Sequence, residues 1–205
     1  MNIKKYSTDY QDVFIDLITK GKENGTYLEI GSGDPIKGSN TYFLEKERGW
    51  TGISIEKRKK ACEDFCKIRK NKLIQADATT VDYTSFLFHN DMDYLQIDCN
   101  PPEISFSILK RIPLNRMRFS IITFEHDYWR EASKDCGKSV RALSRDYLHR
   151  FGYYMVVSVC SRGRSFEDWW IHPDLINEVT YMRFCRVGID IEAKDYIKEF
   201  LNYRG

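Results

Sequence analysis

Short apolar runs alternate with amphipathic stretches along most of the chain. Val13, Phe14, Leu17 and Ile18 recur at helical spacing after Thr8-Asp9-Tyr10-Gln11, which has the form of a capping box. Gly21 and Gly25 close that helix, and Thr26-Tyr27-Leu28-Glu29-Ile30 reads as a buried strand running into Gly31. The pattern then predicts a helix over 41–46, a strand over 51–55, a helix over 57–68 and a strand over 72–75. A strand over 93–97 ends at Asp98, and one over 120–124 ends at Glu125. Helices are expected over 103–110 and 138–150, an apolar strand over 153–159, and an amphipathic helix over 191–203. Trp169 and Trp170 fall in an expected final strand, one side chain facing the core and the other outward.

Strands that alternate with helices imply a mostly parallel sheet covered on both faces. Right-handed crossovers make it a doubly wound, Rossmann-like α/β domain. No linker, repeat or low-complexity tract divides the 205 residues, so one domain is expected. Residues 1–25 would form an N-terminal helix, 26–175 the ligand-binding core and 176–205 a C-terminal extension.

Composition narrows the class. Hydrophobic residues are 42% and charged residues 30%, as in globular proteins. No apolar run approaches the roughly 20 residues that cross a bilayer. The start Met1-Asn2-Ile3-Lys4-Lys5-Tyr6 lacks the apolar core of a secretory signal, so a cytoplasmic protein with no membrane partner is expected. A net charge of +2 argues against a nucleic-acid partner. The one basic run is Lys57-Arg58-Lys59-Lys60, continued by Lys67, Arg69, Lys70 and Lys72. It reads first as a solvated helix face, and second as a site for a phosphate-bearing substrate. Cys62, Cys66, Cys99, Cys136, Cys160 and Cys185 show no paired metal spacing and read as reduced thiols.

In a doubly wound sheet ligands bind beyond the carboxyl ends of the strands. Gly31-Ser32-Gly33 follows the first strand and permits a tight turn with close backbone approach. Glu56 ends the second strand, where an acid accepts hydrogen bonds from a ribose diol. Asp77-Ala78 ends the third, where a carboxylate can meet an adenine amino group. Position 36 is Ile, so G-x-G-x-x-G is not completed, and no P-loop Lys-Ser/Thr is present. An adenosine carrying a short arm therefore fits better than a pyrophosphate cofactor.

Tyr27-Leu28-Glu29-Ile30-Gly31-Ser32-Gly33-Asp34 resembles the first motif of class I methyltransferases. Gly38-Ser39-Asn40-Thr41, Gly49 to Glu56, Asp93 to Asp98 and Ile122-Thr123-Phe124-Glu125-His126 resemble the FkbM family in particular, across roughly residues 26–175. The resemblance implies a seven-stranded fold, S-adenosylmethionine as cofactor, and methyl transfer to a hydroxyl of a small-molecule or glycan acceptor. It places Glu29, Gly31, Ser32 and Gly33 around the methionine arm, Ser39 and Asn40 near the cofactor, Glu56 at the ribose, and Asp77 with Ala78 at the adenine. Cys99-Asn100-Pro101-Pro102 departs from the family's pattern after the fourth-strand acid.

Methyl transfer to oxygen needs an aligned acceptor and a proton acceptor. His126 and Asp98 are the candidate bases, with Glu125 beside them. Asp98, Glu125 and Asp127 are alternatively oxygen ligands for Mg²⁺. Tyr128 and Trp129 on one side, with Trp170 and His172 on the other, are candidate acceptor walls, and the loop 130–137 a candidate cover. Two other readings stand beside this one. Asn100-Pro101-Pro102 leaves an RNA or nucleotide methyltransferase open. A catalytically silent adenosine-binding or partner-binding domain is the other.

Overall fold

The protein is described from a computed structural model covering residues 4–86, 91–131 and 139–201. Cys136, Lys138, Tyr203 and the loop 132–137 lie outside the described residues. Eight strands form one sheet: β1 (Thr26–Ile30), β2 (Thr51–Glu56), β3 (Lys72–Gln75), β4 (Asp91–Ile97), β5 (Arg118–Glu125), β6 (Tyr154–Ser161), β7 (Arg164–Ile171) and β8 (Arg186–Glu192). Their order is β3-β2-β1-β4-β5-β7-β6-β8. The pairs from β3 to β5 are parallel, β7 is antiparallel to both neighbours, and β8 runs parallel to β6.

The helices are α1 (Gln11–Ile18), α2 (Tyr42–Arg48), α3 (Lys59–Ile68), α4 (Pro102–Leu109), α5 (Tyr128–Glu131), α6 (Val140–Arg150), α7 (Glu178–Phe184) and α8 (Ala193–Leu201). One core joins α1 and α8 to one sheet face through Phe14, Trp169, Tyr196 and Phe200. The other packs Ile108, Leu109, Val140 and Leu148 against Leu95, Ile97, Ile122 and Trp170. A sheet covered on both faces explains the near-continuous apolar strands. It also corrects the expectation for β7: Trp169 and Trp170 point to opposite faces, yet both are fully buried.

Two further expectations are corrected. The capping box at Thr8 does not form. Tyr10 caps α1 in a left-handed conformation without a side-chain bond, and Asp12 does the local bonding instead. Its carboxylate accepts from the Tyr6 and Ser7 amides, the Ser7 hydroxyl and the Val13 amide. The last segment also differs, because residues 186–192 form β8 and α8 starts only at Ala193. β8 skips register, pairing Arg186 with Val157 and then Asp190 with Ser158. Val187 and Ile189 are exposed within that bulge, around Gly188 at φ +102°, so they give no burial signal.

Candidate functional site: two cavities meeting at Asp98

A cleft of about 370 Å³ opens at the carboxyl ends of β1 to β4. Gly31, Gly33, Glu56, Lys57, Arg58, Asp77, Ala78, Asp98 and Cys99 are among its lining residues. Gly31 has φ +84°, and a Cβ there would sit 1.9 Å from the Asp98 carbonyl oxygen. Only glycine lets β4 pass this close to the turn. Ser32 is buried, and its Oγ has no hydrogen-bond partner. Ser32 is not among the residues lining the cleft, so the cofactor contact expected of it is not seen.

Glu56 is held tightly. Its Oε2 accepts from the Gly33 amide (3.0 Å) and Arg58 Nη2 (3.2 Å). Its Oε1 accepts from the Arg58 amide (2.8 Å) and Nε (3.1 Å). Burial alone would raise its pKa, but these hydrogen bonds outweigh burial and hold it below the usual carboxylate range. All four acceptor positions of this carboxylate are in use. Asp77 is exposed; its Oδ1 accepts from the Thr79 hydroxyl and amide, which lower its pKa.

Glu29 and Ser39 do not face the cleft. Glu29 Oε1 accepts from Thr41 Oγ1 at 2.8 Å and Oε2 from Ser54 Oγ at 2.6 Å, inside the protein. Burial raises its pKa against the opposing Arg69 charge. Ser39 Oγ accepts from the Tyr42 amide at 3.1 Å and fixes the start of α2. Arg69 organises this region, which corrects its assignment to a solvated face. Its side chain is wholly buried. It donates to Glu45, Tyr27, Thr41, Ser39 and the Pro35 carbonyl. Charge density along the sequence marks Arg69 as one of a surface run; only the acids and hydroxyls around it show its role.

A second cavity, about 540 Å³, adjoins the first. Asp98 is on the wall of both. Asn40, Gln11, Glu125, Asp127, Trp129, Arg162, Arg164 and Phe166 are among the other residues around the second. Asp98 and Glu125 are hydrogen-bonded to each other. Burial, then the Asp98 and Asp127 charges, push Glu125 up to about 10. Burial pushes Asp98 upward too, opposed by the hydrogen bond from Glu125. Near neutrality Glu125 is therefore protonated and able to donate to Asp98. Glu167 stands opposite Glu125 in the sheet and is fully buried. Burial lifts it to about 8, against hydrogen bonds from Trp169 and Gln11.

Asp127 Oδ2 pairs with Arg130 Nε at 2.9 Å. Among the described residues no three His, Cys, Asp or Glu side chains are grouped to hold a metal ion. The expected Mg²⁺ set of Asp98, Glu125 and Asp127 is corrected accordingly. Asp127 is turned to Arg130 instead of joining the other two.

His126 is adjacent in sequence but points elsewhere. It is 0% exposed. Its Nδ1 accepts from the Tyr128 amide at 3.1 Å, and its Nε2 lies 3.4 Å from Asp168, which Arg145 grips at 2.7 and 2.8 Å. Nδ1, occupied by a backbone donor, has no lone pair left for a substrate proton. His126 braces α5 and β7 rather than facing either cavity.

The proposed acceptor walls divide. Trp129 lines the second cavity, 37% exposed, with Nε1 donating to Asp127 at 2.9 Å. Tyr128 instead faces a neighbouring groove with Arg141 over its ring. Trp170 is sealed in the core against His149. His172 lies at the opposite end of the sheet, its amide bonded to Ser120 at the start of β5. An antiparallel β7 explains this: Glu167 is at the site end, and each later residue is farther from it.

The strand order β3-β2-β1-β4-β5-β7-β6, with β7 reversed, is the class I methyltransferase fold, here extended by β8. Solved structures agree. The tomaymycin-synthesis O-methyltransferase TomG of Streptomyces achromogenes, in complex with SAM, is 14% identical over 79% of each chain, at a TM-score of 0.54. An O-methyltransferase from Bacillus cereus in complex with SAH is 13% identical over 83% of this chain and 82% of its own, at 0.53. An rRNA methylase from Streptococcus thermophilus is 11% identical over 84% and 99%, at 0.52. Identities this low establish a shared fold. No family model and no curated protein matches the chain.

Proposed function

We propose that the protein is an S-adenosylmethionine-dependent O-methyltransferase acting on a polyhydroxylated small molecule or glycan. One observation carries the proposal: a single acidic residue, Asp98, walls both the adenosine-shaped cleft and the second cavity. When bound, S-adenosylmethionine supplies an activated methyl group. Gly31 and Gly33 bring backbone to the ligand. Asp77 Oδ2 is offered to the adenine amino group. Glu56 reaches a ribose once the Arg58 guanidinium moves aside.

Asp98 is the proton acceptor for the substrate hydroxyl. Glu125, protonated near neutrality, orients it by donating a hydrogen bond, which opposes the upward push of burial on Asp98. Asp9, Asp98 and Asp127 suit hydroxyl donors, which carboxylates accept well. The FkbM resemblance over residues 26–175 supports an oxygen acceptor. A nucleic-acid acceptor is disfavoured by the net charge of +2 and by the burial of Arg69. The test is transfer of labelled methyl from S-adenosylmethionine to a panel of sugars, polyols and structured RNA. Labelling of a polyol supports the proposal, and labelling of RNA alone refutes it.

A further inference from the structure

Two arginines at the rim of the second cavity are not used by the chemistry above. Arg162 and Arg164 flank Gly163 at the turn between β6 and β7, and both line that cavity. Neither has an ion-pair partner among the described residues. The turn is nevertheless built rigidly. Glu192 of β8 clamps it from behind, its carboxylate accepting from the Arg162 and Gly163 amides at 3.1 and 2.6 Å. Arg162 is held at φ +54°, a region that favours glycine or asparagine over arginine. The Arg164 guanidinium lies 4.8 Å over the Trp129 ring, and that ring is pinned through Nε1 to Asp127. An arginine stacked on an aromatic face keeps its in-plane N–H groups free, already oriented for two-point binding of an oxyanion.

We infer that Arg162 and Arg164 hold an anionic group of the acceptor, so that the substrate class is an anionic polyol such as a sugar phosphate or a uronic acid. The inference rests on the acceptor site proposed above. It adds a charge requirement that a neutral sugar cannot meet. Asp98, shared with the first cleft, marks the cofactor end of the cavity, and the two arginines stand at the hairpin beside Trp129 and Asp127. Asp127 is paired with Arg130 and Glu125 is protonated near neutrality, which leaves Asp9 and Asp98 as the acids that share the cavity with the two arginines.

The test titrates glucose 6-phosphate, glucuronate and glucose into the full chain. Binding is followed by calorimetry and by emission of Trp129, the other three tryptophans being buried. The expected result is saturable binding of one or both anions and none of glucose. The preferred anion identifies a phosphoryl or a carboxylate group. Arg162→Ala should weaken anion binding about tenfold, and the double variant with Arg164→Ala should weaken it further. S-adenosylmethionine titrated into the same variants should bind as in the wild type. Absence of saturable binding by both anions, equal binding of glucose, or unchanged affinity in both variants would overturn the inference. Failure of S-adenosylmethionine to bind any variant or the wild type would instead refute the methyltransferase reading.

Discussion

Asp98 and Glu125 are hydrogen-bonded to each other across the adjoining ends of β4 and β5. Because burial raises Glu125 to about 10, the folded chain retains a proton that the unfolded chain loses near pH 4.5. The folded state therefore binds more protons between those values, and stability falls as pH rises through that window. Glu167, raised to about 8, adds to the slope in its lower part. Thermal unfolding from pH 5 to 9 should show Tm falling with pH in the wild type. The fall should be smaller in Glu125→Gln, which keeps a hydrogen-bond donor and cannot ionise.

The same pair predicts a division of roles in methyl transfer. Asp98→Asn removes the proposed proton acceptor and should lower kcat by a factor of roughly 100 to 10,000. His126→Gln should leave the pH dependence of methyl transfer unchanged, because His126 is engaged by Tyr128 and Asp168. It should cost about 1–3 kcal/mol of stability by unpairing a buried network. Loss of the pH profile in His126→Gln would restore the imidazole as base.

Arg58 occupies the acceptor positions on Glu56 that a ribose would use. Arg58→Ala should therefore tighten S-adenosylmethionine binding, by a few-fold, since an exposed ion pair contributes about 0–1 kcal/mol. Calorimetric titration of the variant checks this. Weaker binding would mean that Arg58 contacts the cofactor directly.

Gly31→Ala meets the Asp98 carbonyl and a left-handed φ at once. It should destabilise the fold by about 3 kcal/mol or more and abolish cofactor binding. Denaturant unfolding would read the first effect and calorimetry the second. Arg69→Met should cost about 3–5 kcal/mol, because it leaves Glu29 and Glu45 without their buried cation.

Much of this architecture was legible in the sequence. The parallel strands are apolar on both faces, so β1, β2, β4 and β5 read directly, and their ends place Gly31, Gly33, Glu56, Asp98 and Glu125 at one end of the sheet. Side-chain direction was less legible. Periodicity does not distinguish Asp98, which lines both cavities, from Glu29, whose carboxylate is spent on Thr41 and Ser54. The reversal of β7 was invisible for a similar reason: proximity in sequence to Glu167 suggested a site for Trp170 and His172, whereas the antiparallel course carries them away. Arg69 and Arg164 were hidden among ordinary surface charges. Their roles depend on partners 24 to 42 residues away for Arg69, and 35 away for Arg164.

The turn after β1 carries the central claim, and calorimetry with S-adenosylmethionine tests it most directly. Saturable one-to-one binding is predicted for the wild type, with affinity on the order of micromolar, and a large loss in Glu56→Ala. A flat titration of the folded wild type, or binding that Glu56→Ala leaves unchanged, would contradict the assignment of this cleft.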